Sequence, residues 1–136
     1  MLKKILSTML FVAAASQATA QTASPAGAKV YIISPADGAV VTSPVTVTFG
    51  LKGMGVAPAG TDRANTGHHH LLVDAKALPA AGQPMGGEVI HFGGGQTETT
   101  LELAPGKHSL QLIMGDMAHV PHNPIVASEK ITITVK

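Results

Sequence analysis

Val45-Thr46-Val47-Thr48-Phe49-Gly50-Leu51 is the stretch that decides the fold. Val45, Val47 and Phe49 alternate with Thr46 and Thr48. A period of two is the mark of a strand with one face in a core and the other toward water. Pro44 starts the run, where a missing N–H costs the ladder nothing. Working outward, the same kind of segment recurs. Upstream, Lys29–Ser34 (KVYIIS) ends at the turn Pro35-Ala36-Asp37-Gly38, in which Pro presets φ and Gly takes a positive φ. Downstream come His68–Asp74 (HHHLLVD), Val89–Phe92, Thr97–Leu103 (TETTLEL), His108–Met114 (HSLQLIM) and Glu129–Val135, the last with Ile131, Ile133 and Val135 on one face. Ala104-Pro105-Gly106-Lys107 reads as a tight turn that pairs Thr97–Leu103 with His108–Met114. Long loops cover Lys52–Gly67, Ala75–Glu88 and Gly115–Ser128. Seven short strands between turn signals predict an all-β chain, an immunoglobulin-like antiparallel β-sandwich, with a small open barrel as the alternative.

The chain has 136 residues, enough for a single domain, expected over 29–136. It opens with the positive Met1-Leu2-Lys3-Lys4, an apolar stretch Ile5–Ala15, and the small-residue ending Ala18-Thr19-Ala20. That is the pattern of a secretory signal peptide over 1–20, cleaved after Ala20, and it predicts a periplasmic or secreted protein. The apolar stretch is too short for a helix to cross roughly 30 Å of hydrocarbon, so no membrane span is expected after cleavage. Gln21–Ala28, small, polar and Pro/Gly-bearing, reads as a flexible leader.

Composition removes several function classes. With no Cys there is neither a disulfide framework nor a thiolate metal site. A net charge of +1 offers no basic footprint, so no nucleic-acid partner is expected. Gly93-Gly94-Gly95-Gln96 lacks the Lys-Ser/Thr and the strand–helix context of a phosphate loop. No nucleophile elbow and no His-Glu-x-x-His motif occurs, and the chain is read as not an enzyme. What stands out is histidine, 7 residues against 8 Asp plus Glu.

Strands that alternate up and down sort these histidines by pole. His68, His69 and His70 open the third strand, His91 ends the fourth, and His119 and His122 lie in the last long loop. All six belong to one pole, as do Met54, Met114, Met117, Asp62 and Asp116. His108 begins the sixth strand at the opposite pole, as does Met85 in the loop after the third strand. Neutral imidazole suits Zn, Cu and Ni, and thioether sulfur is soft and favours Cu(I). The candidate ligands are therefore His68, His70, His119 and His122, then His91 and His69, with Met54 or Met117 as soft donors. His68 and His70 share a strand face and His69 takes the other, and the sequence does not say which is buried. Each candidate also has a plainer use. One histidine of a run can fill the core, His91 can cap its strand, and His119 and His122 can order a polar loop. Met114 continues an apolar face and reads as core filler. His108 reads as structural, bonding a backbone group at its corner.

Thr66-Gly67-His68-His69-His70-Leu71-Leu72, His91-Phe92-Gly93-Gly94-Gly95-Gln96-Thr97-Glu98-Thr99 and His119-Val120-Pro121-His122, with Gly50-Leu51-Lys52-Gly53-Met54-Gly55-Val56 and Leu103-Ala104-Pro105-Gly106-Lys107-His108, resemble a small exported bacterial family catalogued as domain of unknown function 4399. The resemblance runs from Val30 to Lys136 and implies localisation and domain extent, not chemistry. Ser34-Pro35-Ala36-Asp37-Gly38 and the sandwich plan are also similar, at fold level only, to periplasmic copper carriers. The reading is an exported metal-binding protein, copper ahead of zinc, serving storage, buffering or delivery, with a metal ion as partner and another envelope protein as a second one. The rival is a module of the cell envelope that binds a non-metal ligand or a protein. An enzyme built on a His-bound metal, with Asp62, Asp116 or Glu88 as acid, is a third reading that nothing in the spacing demands.

Overall fold

The structure, a computed structural model, describes residues 21–136. The expected signal peptide, 1–20, lies outside the described residues. Among the described residues there is no helix, and no helix long and apolar enough to cross a membrane. The strands are β1 (Lys29–Ser34), β2 (Val40–Val41), β3 (Val45–Lys52), β4 (Gly55–Val56), β5 (Thr66–Val73), β6 (Ile90–His91), β7 (Glu98–Leu101), β8 (Gly106–Gly115) and β9 (Ile131–Val135).

Two sheets form. One has the order β1-β3-β7, and the other β2-β9-β8-β5-β4 with β6 also on β5. The long strands pair antiparallel, while the two-residue β2 and β4 pair parallel with β9 and β5. This is the expected immunoglobulin-like sandwich, with two short strands, β2 and β4, that the alternation did not mark. The alternating residues of β3 behave as read: Val45, Val47 and Phe49 are buried. They meet Leu71, Leu110, Leu112, Met114, Ile131, Ile133 and Val135 from the facing sheet. Each such side chain is worth roughly 1.5–3 kcal/mol on full burial. Phe49 stacks edge-on against Phe92, with centroids 4.9 Å apart. A smaller cluster, Leu72, Met85 and Ile113, lies on the other face of the larger sheet, beneath the long loops.

One pairing differs from expectation. β7 does not pair with β8. β7 pairs with β3, Val45 facing Leu101, whereas β8 is bonded to β5 on one side and β9 on the other. With both edges of β8 occupied, the Ala104–Lys107 turn carries the chain from one sheet to the other. A sandwich corner and a hairpin have the same Pro-Gly signature, so local sequence does not separate them.

Gln21–Ala28, expected as a flexible leader, is bonded along the last long loop. Asn123 N–H donates to Thr22 O (3.0 Å), and Ser24 N–H donates to Asn123 O (3.1 Å). The partners stand about a hundred residues away in sequence, where no local pattern could reveal them.

Candidate metal centre

β5 sets the geometry. His69, Leu71 and Val73 face the sandwich interior, and His68, His70 and Leu72 face outward beneath the loops. The three consecutive histidines are thus divided, two to the site and one to the core. β6 runs antiparallel beside β5 and places His91 across from His70. β8 ends at Gly115, across from His68, and the loop that follows carries His119. Glycine is required at 115: a Cβ there would stand 2.6 Å from His70 Cε1 and 2.9 Å from Met85 Cε.

His68, His70, His91 and His119 each offer a ring nitrogen, and these nitrogens all lie within 4.8 Å of one another. His68 Nε2 is 3.1 Å from His119 Nδ1 and 3.1 Å from His91 Nε2. One imidazole nitrogen carries either one hydrogen or one in-plane lone pair. It can therefore satisfy only one of these two neighbours. Both nitrogens of His70 and Nδ1 of His68 are buried with no hydrogen-bond partner among the described residues. Buried polar atoms left this way cost about 1–3 kcal/mol each. A cation would relieve the facing nitrogens, because one lone pair from each of the four rings could point at it. Metal–nitrogen bonds of about 2.0 Å in a tetrahedron put the nitrogens about 3.3 Å apart, close to the 3.1 Å that separates His68 from His119 and from His91.

Three of the four imidazoles are pushed toward the neutral form. Burial pushes His70 down to about 3, helped by the neighbouring His68, His91 and His119. Burial, then His91 and His119, pushes His68 down to about 4, while the Asp116 carboxylate opposes the shift. Burial and His119 also lower His91, which is the exposed member of the set. Neutral imidazole is the form that binds metal. For Asp116 burial would raise the carboxyl, but bonds from Thr22, Val120 and Ala118, then the nearby His122, outweigh it and hold it below the usual range.

The remaining candidates are placed as follows. His122 is buried at the same end, with its Nε2 donating to Thr66 O (3.2 Å), and it is not one of the four converging imidazoles. His69 packs on Phe49, centroids 5.1 Å apart, with both ring nitrogens unpartnered. Burial lowers it to about 4, opposed by the Gln96 backbone, which lies near the ring but outside hydrogen-bond geometry. Met54 packs against the main core, and Met117 is exposed. Met114 is core. His108, as expected, is far from the others and bonds a backbone oxygen, Ala104 O, at 2.7 Å.

Met85 departs from its expected pole. It is the buried residue of an otherwise open loop, its N–H donates to His119 O (2.9 Å), and its methyl, like the His70 ring, borders the space over Gly115. The up-and-down rule assigns a loop to a pole but does not limit its reach. Ala75–Glu88 is long enough to run up the outer face of the sheet, and a single Met among Gly, Pro and Ala was the signal available.

A family profile described as Domain of unknown function (DUF4399) matches residues 47–136. The chain belongs to that family. The matched span holds all four converging histidines of the DUF4399 domain, together with Gly115 and Met85. No curated protein and no solved structure matches this chain.

Proposed function

We propose that this DUF4399 protein is exported to the periplasm or cell exterior and there holds a transition-metal ion, copper ahead of zinc, for storage, buffering or delivery. One observation carries the reading: four imidazoles from three separate stretches of chain converge with their nitrogens facing one another. Rings kept for a binding module of the envelope would spread into backbone hydrogen bonds. His70 instead makes none through either nitrogen. An all-imidazole set suits copper and zinc alike. Met85, whose methyl borders the same space over Gly115 as the His70 ring, is what favours copper, since a thioether in reach would serve Cu(I) and add nothing for Zn(II).

Calorimetric titration of the exported chain with Cu(II), Cu(I) and Zn(II) tests this. The expected result is binding tighter than about micromolar, or below −8 kcal/mol. It should weaken by at least about a hundredfold in the His70→Ala/His119→Ala double variant, more than loss of an outer partner would cause. It should be unchanged in His108→Ala. Met85→Leu, which keeps the volume and removes the sulfur, should weaken Cu(I) alone. No binding by the wild type, or full binding by the double variant, rejects the proposal.

A further inference from the structure

His119 comes from a loop and not from a strand, and its backbone φ of 65° is one that a side chain bearing a Cβ adopts at a cost. Something must hold it there. Asp116 does so from inside the loop. Its N–H donates to Val120 O, and its own carbonyl accepts from His119 N–H, both at 2.9 Å. Its Oδ1 accepts from Ala118 N–H (2.9 Å) and Val120 N–H (3.0 Å). The other carboxylate oxygen, Oδ2, accepts the Thr22 hydroxyl at 2.7 Å. Thr22 lies in the segment bonded along this same loop. Gln21 Nε2 donates to Pro121 O (3.4 Å), Ser24 Oγ to Pro124 O (2.6 Å), and Ala23 bridges Asn123 in parallel. The segment thus follows the loop from outside while Asp116 shapes it from within.

We infer that Thr22 and Asp116 are positioning residues of the metal centre. The strap Gln21–Ser24 clamps the Asp116–His122 loop and, through the Thr22–Asp116 bond, fixes where the His119 nitrogen stands relative to His68. Neither residue belongs to the converging nitrogens. This rests on the proposed metal binding, and it gives the strap a role that its bland sequence does not suggest. A hydroxyl on a carboxylate is a charge-assisted bond, and losing it frees the carboxylate to turn away from the loop amides.

The test uses Thr22→Val, which keeps the shape and removes the donor, and Thr22→Ser, which restores it. Thr22→Val should weaken metal binding about tenfold, the equivalent of roughly 1.4 kcal/mol. In the metal-free protein it should shift the His119 ring resonances and speed exchange of the Ala118 and Val120 amides, with the thermal midpoint little changed. Thr22→Ser should behave as wild type. Should Thr22→Val not fold, Thr22→Ala removes the same hydroxyl while the Gln21, Ala23 and Ser24 bonds of the strap stay intact. Wild-type affinity with unchanged His119 signals in either folded variant overturns the inference. If the wild type binds no ion, the metal reading fails by itself. The His119 resonances and the amide exchange then still decide whether the strap sets the loop.

Discussion

The two ends of the sandwich treat the same side chain in opposite ways. At the end of β8 where the chain leaves Gly115, imidazole nitrogens face other imidazole nitrogens. At its start, His108 has an oxygen for each nitrogen: Asp74 Oδ2 on Nδ1 and Ala104 O on Nε2, both at 2.7 Å. Two oxygens ask for two N–H groups, which only the charged ring has. The Asp74 bond, then the Ala104 carbonyl, accordingly raise His108 above its ordinary value. Burial would raise Asp74, but His108 and the Ser109 amide outweigh it and lower its carboxyl. One end favours imidazolium, and at the other His68, His70 and His91 favour the neutral ring. Charge preference follows from burial and from the atoms opposite the ring nitrogens, not from the residue type.

Acid should separate the two ends most strongly. His68, His69 and His70 have folded values of about 4, 4 and 3 against an ordinary 6.5. Below pH 6.5 the unfolded chain takes up protons that the folded one refuses, so stability falls as pH falls, over a window that closes near the folded values. At pH 5 each ring that stays neutral costs about 2 kcal/mol. Denaturant melts of the metal-free protein between pH 7 and 5 measure this, and a flat profile would break the contrast.

His69 sharpens it further. Its buried nitrogens have no partner, so His69→Leu should stabilise the metal-free protein by about 1 kcal/mol, reduce its acid sensitivity and leave metal affinity within about threefold. A loss of affinity would mean that this ring serves the centre after all. The smallest effect belongs to His108→Ala. The pair is partly exposed, so the cost should be about 0.5 kcal/mol near pH 6. Because His108 is raised, that contribution is full below its ordinary value and fades as pH rises through the folded one. It also fades in acid as Asp74 is protonated. A cost constant from pH 5 to 9 would show packing, not charge.

Much of this was legible from residue order. Alternation in β3 and β9 gave the sandwich, and the up-and-down rule brought His68, His70, His91 and His119 to one end. Three things were hidden for physical reasons. The face of the His68-His69-His70 run depends on which side the loops cover, and both sides carry apolar residues. Met85 and Gln21–Ala28 find their places through contacts with residues distant in sequence, which no local period encodes. The route between β7 and β8 depended on which edges were already taken, a property of the whole sheet.

The separation of 51 residues between His68 and His119 has a consequence for how the protein is made. β5 and β8, which bring them together, pair across a long stretch of sequence, and such contacts are slow to form. The finished centre therefore exists only once folding is complete, whereas His68-His69-His70 is available to an ion from the first moment the chain is extended. An ion met too early would hold the unfolded chain by that run and lower the gain from folding. If the proposed metal binding holds, the order of events is part of the chemistry: first the sandwich, then the ion.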